Sequence, residues 1–185
     1  MIKMSWARAQ PSKHTFTIKP IRELVLRYVG DGENWIDPYA GDNSPCSLAN
    51  DINPDTKAEF HLDALKFCEL CVRAAQAQGK WFEGCVYDPP YSYRQVSEHY
   101  AMVGRKATSL DTSAQFYSRV MNAVCDQIKI GGYAISCGWN TNGFGVNRGF
   151  QPVELLVVRH GSHHNDTLVL VERRVVDARL EEAYG

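Results

Sequence analysis

Bulk charge is what this chain most plainly lacks. Its 185 residues carry a formal net charge of −1, so neither the strongly basic composition of a protein that coats polyanions nor an acidic, self-repelling one is present. No apolar run approaches the roughly 20 residues that a bilayer-crossing helix needs. The N-terminus also has no uninterrupted apolar stretch of the kind that marks a secretory leader. A soluble, cytoplasmic protein with no membrane partner is therefore expected. The GxGxxG spacing of a dinucleotide fold is missing too. Its nearest approach, Gly143-Phe144-Gly145, does not stand between a strand and a helix, which argues against a nicotinamide dehydrogenase. Internal repeats, low-complexity segments and dividing linkers are all absent, and one domain over 1–185 is expected.

Apolar residues, by contrast, are plentiful. At 44% of the chain they suffice for a sizeable core. Six cysteines, Cys46, Cys68, Cys71, Cys85, Cys125 and Cys137, fit free thiols in a reducing compartment. Cys68 and Cys71 have the spacing of a zinc half-site, but no second pair follows to complete four ligands, so packing on one helix face is expected. Charge is unevenly distributed. Lys3, Arg8, Lys13, Lys19 and Arg22 precede the first acid, Glu23, whereas Asp177 to Glu182 is mainly acidic. The basic arm over 1–20 reads equally as a phosphate-neutralising segment or as a solvated surface strand.

The pattern of apolar residues predicts a helix over Arg22–Val29 ending at Gly30. A short strand at Trp35-Ile36 runs into Asp37 and a turn, and a second strand ends at Asp51. The segment from Thr56 to Gln78 reads as mostly helical. FEGCVY is a third strand, Ser113 to Ile128 a further helix, GGYAISCGW a fourth strand, and VELLVVRHGSHHNDTLVLVERRV a pair of strands joined by a polar hairpin. After the third strand and its Asp88–Tyr91 end, the stretch from Ser92 to Thr112 reads as the one roomy loop. Strands alternating with helices and closing on an antiparallel pair predict a three-layer α/β domain.

Three of these strands end in an acid: Asp37, Asp51 and Asp88. Asp63 falls at what reads as another junction. In open α/β sheets the ligand crevice lies beyond the carboxyl ends of the strands. Several acids gathered there repel one another unless a ligand offers hydroxyls, amines or positive charge, as a sulfonium nucleoside does. The third strand stops abruptly at Asp88-Pro89-Pro90-Tyr91. Prolines cannot extend a central strand, so this tetrapeptide is either a rigid turn or a stiffened loop that presents an acid and an aromatic ring. His160, His163, His164 and Asp166 crowd the polar hairpin and read as a turn satisfying its own backbone in preference to a metal site.

Taken together, IDPYAG, DPPY, FTIKPIREL, NDINP, HLDAL, GGYAISCGWNTNGFG and LVVRHGSHHNDTLVLVERR resemble, in order and spacing, the S-adenosylmethionine-dependent amino-methyltransferases of nucleic acids. The likeness is greatest to DNA adenine-N6 methyltransferases of the small phage and mobile-element type. It implies a Rossmann-like class I fold, with a mostly parallel seven-stranded sheet whose last strand is inserted antiparallel. It implies S-adenosyl-L-methionine as cofactor and S-adenosyl-L-homocysteine as product. Asp37, Pro38, Tyr39, Ala40 and Gly41 would line the cofactor, Asp51 and Ile52 the ribose, and Asp63 and Ala64 the adenine. Thr17, Lys19 and Pro20 would close the methionine side.

The same resemblance makes Asp88, Pro89, Pro90 and Tyr91 the catalytic tetrapeptide. Asp88 and the Pro89 carbonyl would receive the target amine, Pro90 would stiffen the loop and Tyr91 would offer a ring face to the base. Weaker substrate candidates are Tyr93, Arg94, Arg105 and Lys106 after that loop, and Trp139 and Asn140 after the fourth strand. The expected partner is DNA, duplex or single-stranded, in a bacterial or phage-infected cytosol. No insertion is large enough for a separate target-recognition domain, which points to loop readout, a homodimer or a partner subunit. Asp42-Asn43-Ser44 replaces the family's second glycine. A ribosomal RNA guanine-N2 methyltransferase, a protein glutamine methyltransferase and a non-catalytic cofactor-binding module stay open as alternatives.

Overall fold

The computed structural model describes residues 1–161 and 164–176. His163 of the polar hairpin and the acidic segment from Asp177 to Glu182 lie outside the described residues. The chain runs β1 (Lys3–Arg8), α1 (Lys19–Val29), β2 (Trp35–Asp37), β3 (Leu48–Ala49), α2 (Ala64–Ala77), β4 (Phe82–Tyr87), α3 (Tyr93–Met102), α4 (Ala114–Cys125), β5 (Ile128–Gly138), β6 (Phe150–Arg159) and β7 (Thr167–Arg174). The strands form one seven-stranded sheet in the order β1-β6-β7-β5-β4-β2-β3. Every neighbouring pair is parallel except those made by β7, which runs antiparallel between β5 and β6. This is the mostly parallel, Rossmann-like arrangement the sequence predicts, with the closing hairpin placing the last strand inside the sheet.

Successive strand residues point to opposite faces, and the two cores follow from that alternation. Ile36, Cys85, Tyr87 and Ala134 join Phe67 and Cys68 of α2 and Val120 and Val124 of α4 in one core. Trp35, Val86 and Ile135 join Ile21, Leu24 and Val25 of α1 in the other. The result is three layers: one helix, the sheet, and two helices. Cys68 and Cys71 are buried on the inner side of α2, in the packing role expected of them. Gly84 is required by this arrangement, because a Cβ there would lie 2.5 Å from the Trp35 ring and from the Tyr133 carbonyl oxygen.

Several boundaries differ from those predicted. Helix α1 begins at Lys19, three residues early, since Pro20 needs no N–H in a first turn. Helix α2 begins only at Ala64, capped by Asp63. The apolar Phe60 and Leu62 that suggested an earlier start belong to an extended segment, in which Phe60 bridges Asn50 and both residues pack on the core. The second strand stops at Ala49, short of Asp51. The stretch from Ser92 to Thr112 is not a loop, for it holds α3 and a short 3-10 turn.

Within the N-terminal arm, Lys3–Arg8 is a surface strand at the edge of the sheet, parallel to β6. There the buried Glu154 accepts from Arg27 at 2.9 Å and Tyr28 at 2.7 Å and pairs with Lys3 at 3.0 Å. The His160 ring bonds the Ala9 carbonyl and the Thr167 hydroxyl, each at 2.9 Å. Among the described residues no group of three His, Cys, Asp or Glu side chains is placed to hold a metal ion, and no helix is long and apolar enough to cross a membrane.

Candidate active site

From β2 the chain passes to β3 on one side of the sheet, and from β4 to β5 on the other. The strand order thus reverses between β2 and β4, the position at which open α/β sheets form their ligand crevice. A cleft of about 700 Å³ lies there, within the usual range for small-molecule sites. Its walls come from the turns after β2 and β4, the segment after β3, the start of α2, the inner side of α3 and residues Lys13–Phe16 before α1. Among the described residues, Asp42, Asp51, Asp55, Asp63, Asp88, Glu98 and Asp111 line it, against a single Lys or Arg, Lys13.

Asp37 ends β2 fully buried. One carboxylate oxygen accepts from the Tyr39 backbone N–H at 3.0 Å and the other from the Ser44 hydroxyl at 2.6 Å. It therefore folds the Pro38–Ser44 turn over itself. Burial raises its carboxyl to about 7 against those two hydrogen bonds, and the nearby Asp88 and Asp51 charges add to the rise. The turn is pinned from the far side by Asp51, whose oxygens accept from the Gly41 N–H at 3.0 Å and the Asn53 N–H at 2.8 Å. Gly41 meets Asp51 with φ of 54°, a left-handed conformation that glycine adopts at little cost.

Buried Asn50 joins the layers of this wall. Its amide donates to the carbonyls of Pro38 and Leu62, its side-chain oxygen accepts from the Leu62 N–H, and its backbone carbonyl accepts from Ala40. Sequence reasoning missed Asn50, because an asparagine near the end of a short strand carries no signal that its side chain will be buried.

On the other side of the switch point, Asp88 follows β4. The Tyr91 hydroxyl donates to its Oδ1. Burial nevertheless raises the Asp88 carboxyl above the usual range, with the Tyr91 and Thr15 hydroxyls opposing that rise. The backbone beyond is fixed. Gln95 Oε1 accepts from the N–H groups of Tyr91 at 2.8 Å and Ser92 at 3.1 Å, Ser92 caps α3 in return, and the Tyr117 hydroxyl donates to the Pro90 carbonyl at 2.8 Å. Gln95 and Tyr117 were not anticipated, although Ser92 with Gln95 three positions on is the spacing of a capping box.

Asp51, Asp63 and Asp88 therefore line one cleft, together with Pro38 to Gly41, Ile52, Ala64 and Pro89 to Tyr91. Asp37, expected to line the cofactor, does not reach it: the side chain is fully buried behind the turn, both its oxygens taken by Tyr39 and Ser44. The remaining candidates lie elsewhere. Thr17, Lys19 and Pro20 do not line the cleft; the 3-10 turn Thr15–Thr17 presents Lys13 to Phe16 instead. Thr17 bonds the His14 carbonyl, and Lys19 pairs with Glu23 in solvent. Arg105 stacks 4.2 Å from the Tyr100 ring centroid and bridges Asp63 at 3.1 Å and Asp111 at 2.8 Å, so its charge is spent joining α2 to the segment after α3. Arg94 does not line the cleft and pairs with Glu98, the Tyr93 hydroxyl donates to the Ala107 carbonyl, and Lys106 is exposed. Trp139 packs on Tyr91 with ring centroids 5.5 Å apart, and Asn140 closes its own turn on Asn142. The buried cysteines are poor nucleophiles, since burial pushes up the thiols of Cys46, Cys85 and Cys137.

No family model and no curated protein matches the chain. Among solved structures, it is similar over 85% of its length to TrmN from Thermus thermophilus, at 14% identity and a TM-score of 0.47. It covers 49% of that chain, about half its length. It is also similar over 85% of its length to a methylase candidate from Haemophilus influenzae, covering 96% of that chain at 7% identity and a TM-score of 0.40. Likeness this distant bears on neither substrate nor chemistry, which rest on the site.

Proposed function

We propose that the protein transfers a methyl group from S-adenosylmethionine to the exocyclic amine of a nucleic-acid base, adenine N6 of DNA being the intended acceptor. One observation carries this reading: Asp88-Pro89-Pro90 at the end of β4 opens into the same cleft as Pro38 to Gly41, Asp51 and Asp63, across the reversal of strand order. The cleft suits the cofactor. Carboxylates favour a cationic ligand and accept from ribose hydroxyls, while Lys13, the one Lys or Arg among the described lining residues, offers a counter-charge to an amino-acid carboxylate. When bound, S-adenosylmethionine supplies an electrophilic methyl group on a sulfonium centre.

The chain's own contribution is orientation. An aromatic amine is a weak nucleophile because its lone pair is delocalised into the ring. Asp88 and the Pro89 carbonyl can each accept one of its N–H groups, drawing the nitrogen towards tetrahedral geometry with its lone pair free. Rigid placement by the two prolines, Gln95 and Tyr117 makes this a matter of positioning and electrostatics, with no strong base required. A base within a duplex must be flipped out to reach such a cleft, or be taken from a single strand.

The test is incubation with methyl-labelled cofactor and duplex DNA, single-stranded DNA or RNA, followed by nucleoside analysis. N6-methyladenine from DNA supports the reading; label confined to guanine in RNA overturns the choice of base. Asp88→Ala is expected to lower transfer by about 100-fold or more with cofactor affinity retained, whereas Lys13→Ala weakens cofactor binding itself. A non-catalytic binding module would show cofactor binding with no transfer to any of the three.

A further inference from the structure

We infer that the sheet edge formed by β1 and β6 grips the phosphate backbone of duplex DNA some distance from the target base, through the paired arginines Arg8 and Arg159. This assignment rests on the reading of DNA as the substrate, and it names a surface outside the cleft that holds it.

The cleft is ill suited to hold a polyanion. Carboxylates crowd it, and Lys13 is the one Lys or Arg among its described lining residues. Phosphates are repelled there, so their grip has to come from a neighbouring surface. Several basic side chains are already occupied: Arg105 bridges Asp63 and Asp111, and Lys3 and Arg27 pair with Glu154. Arg8 and Arg159 are exposed, and neither guanidinium bonds to any described residue.

The two are also neighbours. Parallel register sets Arg8 of β1 beside Arg159 of β6. Ala7 and Val158, one residue earlier on each strand, pack into the core on the α1 side, so both arginines project from the opposite face. Trp6 and Met4 share that face and are 67% and 70% exposed. It is bare at this edge, because the core beneath α2 and α4 takes from β1 and β6 only Phe150, the first residue of β6. Like charges directly opposite each other in a sheet cost stability unless an anion answers both, and a phosphate matches the guanidinium fork.

Their position fits the cleft. Strands β1, β6, β5 and β4 run the same way, so Arg8 and Arg159 close their strands at the end of the sheet where Asp88 follows β4. Four strand spacings separate β1 from β4, roughly 20 Å, or about six base pairs of duplex. A grip at that remove fixes the target only through a stiff ligand, and duplex DNA has a persistence length of about 50 nm.

The test compares wild type with the double variant Arg8→Gln/Arg159→Gln. Lys80→Gln serves as control, an exposed cation at the opposite end of the sheet, before β4. Binding is measured to duplexes carrying about 12 or about 3 base pairs on each side of a central adenine, over about 50–200 mM salt. On the long duplex the double variant is expected to lower the slope of log affinity against log salt by about 1.8, since each phosphate contact carries about 0.9. Wild type then loses about tenfold more affinity than the variant across that range. On the short duplex the two bind alike, Lys80→Gln follows wild type on both, and cofactor affinity is unchanged. Equal slopes on the long duplex, a difference that persists on the short one, or no binding of the long duplex by wild type overturns the inference. An equal loss on single-stranded DNA of the same length also overturns it, by assigning the arginines to a flexible strand. Charges on an edge strand can serve instead to block pairing with another sheet; self-association of the double variant with unaltered DNA binding would decide for that role and against the grip. Long duplex bound with the expected slopes but never methylated sinks the transfer chemistry alone.

Discussion

Asp37 shows how one side chain can be both structural and responsive to pH. Its folded carboxyl titrates at about 7 against an ordinary value of 3.8, so the folded state holds a proton that the unfolded chain has already lost between those limits. Stability therefore falls as pH rises from about 4 to 7, with a slope of up to about 1.4 kcal/mol per pH unit for a single group. Asp37→Asn keeps an acceptor for the Tyr39 N–H and offers a donor to Ser44. We expect chemical denaturation of that variant at several pH values to lack this decline; an unchanged slope would refute the assignment. The residue scale was also the most legible in sequence. Asp88, Pro89 and Pro90 stand where an apolar strand breaks, which any reading of the chain detects. Lys13 and Asn50 were not legible, because their positions are set by a turn and by burial that no local pattern encodes.

Helix α3 matters at the scale of elements, since its cap, Ser92, is the single residue between Tyr91 and the start of the helix at Tyr93. Gln95 accepts from the N–H groups of both Tyr91 and Ser92, so Gln95→Ala leaves two donors to solvent or unpaired. A destabilisation of about 0.5–2 kcal/mol is expected, seen as a lowering of the thermal midpoint by about 2–4 °C per kcal/mol. Amide hydrogen exchange at Tyr91 and Ser92 should quicken while β4 stays protected; equal quickening of both would place the effect elsewhere. The sequence concealed α3 because only Val96 and Tyr100 of its ten residues are buried, too few to show a helical period. It misplaced the start of α2 for the opposite reason, since Phe60 and Leu62 bury apolar surface from an extended segment. The strands were easier, since β4, β5 and the closing hairpin are apolar runs bounded by turn residues.

On the scale of the whole molecule, the edge of the sheet is fastened by charge. Glu154 is buried on β6, and burial alone would raise its carboxyl. Bonds from Arg27, Tyr28 and Lys3 prevail and lower it to about 2. The folded value lies below the ordinary 4.5, so this contribution is complete above that pH and is lost as pH falls through about 2. Glu154→Gln is expected to flatten the acid branch of the stability curve and to weaken β1 first, observable as early exchange of the amides of residues 3–8. Exchange confined to the β7 side would count against it. The overall topology was largely readable: alternation of strands with helices set the layers, and the terminal pair set the antiparallel strand. What could not be read was the partner of Lys3–Arg8, because a parallel pairing with a distant strand leaves no local trace.

That edge pairing has a consequence in time. Lys13–Phe16, which wall the cleft, hang between β1 and α1, and among the described strands β1 pairs only with β6. Ala9, at the end of that strand, is tied to His160, 151 residues further along. A wall made of early residues thus waits for some of the last strands to be synthesised, and loop closure over such a span is slow. A nascent chain arrested before β6 would carry Asp37, Asp51 and Asp88 with no partner to hold the Lys13 side in place. Ligand binding should therefore switch on late during synthesis, within a few residues of the emergence of β6, and ribosome-bound chains of graded length would record that moment.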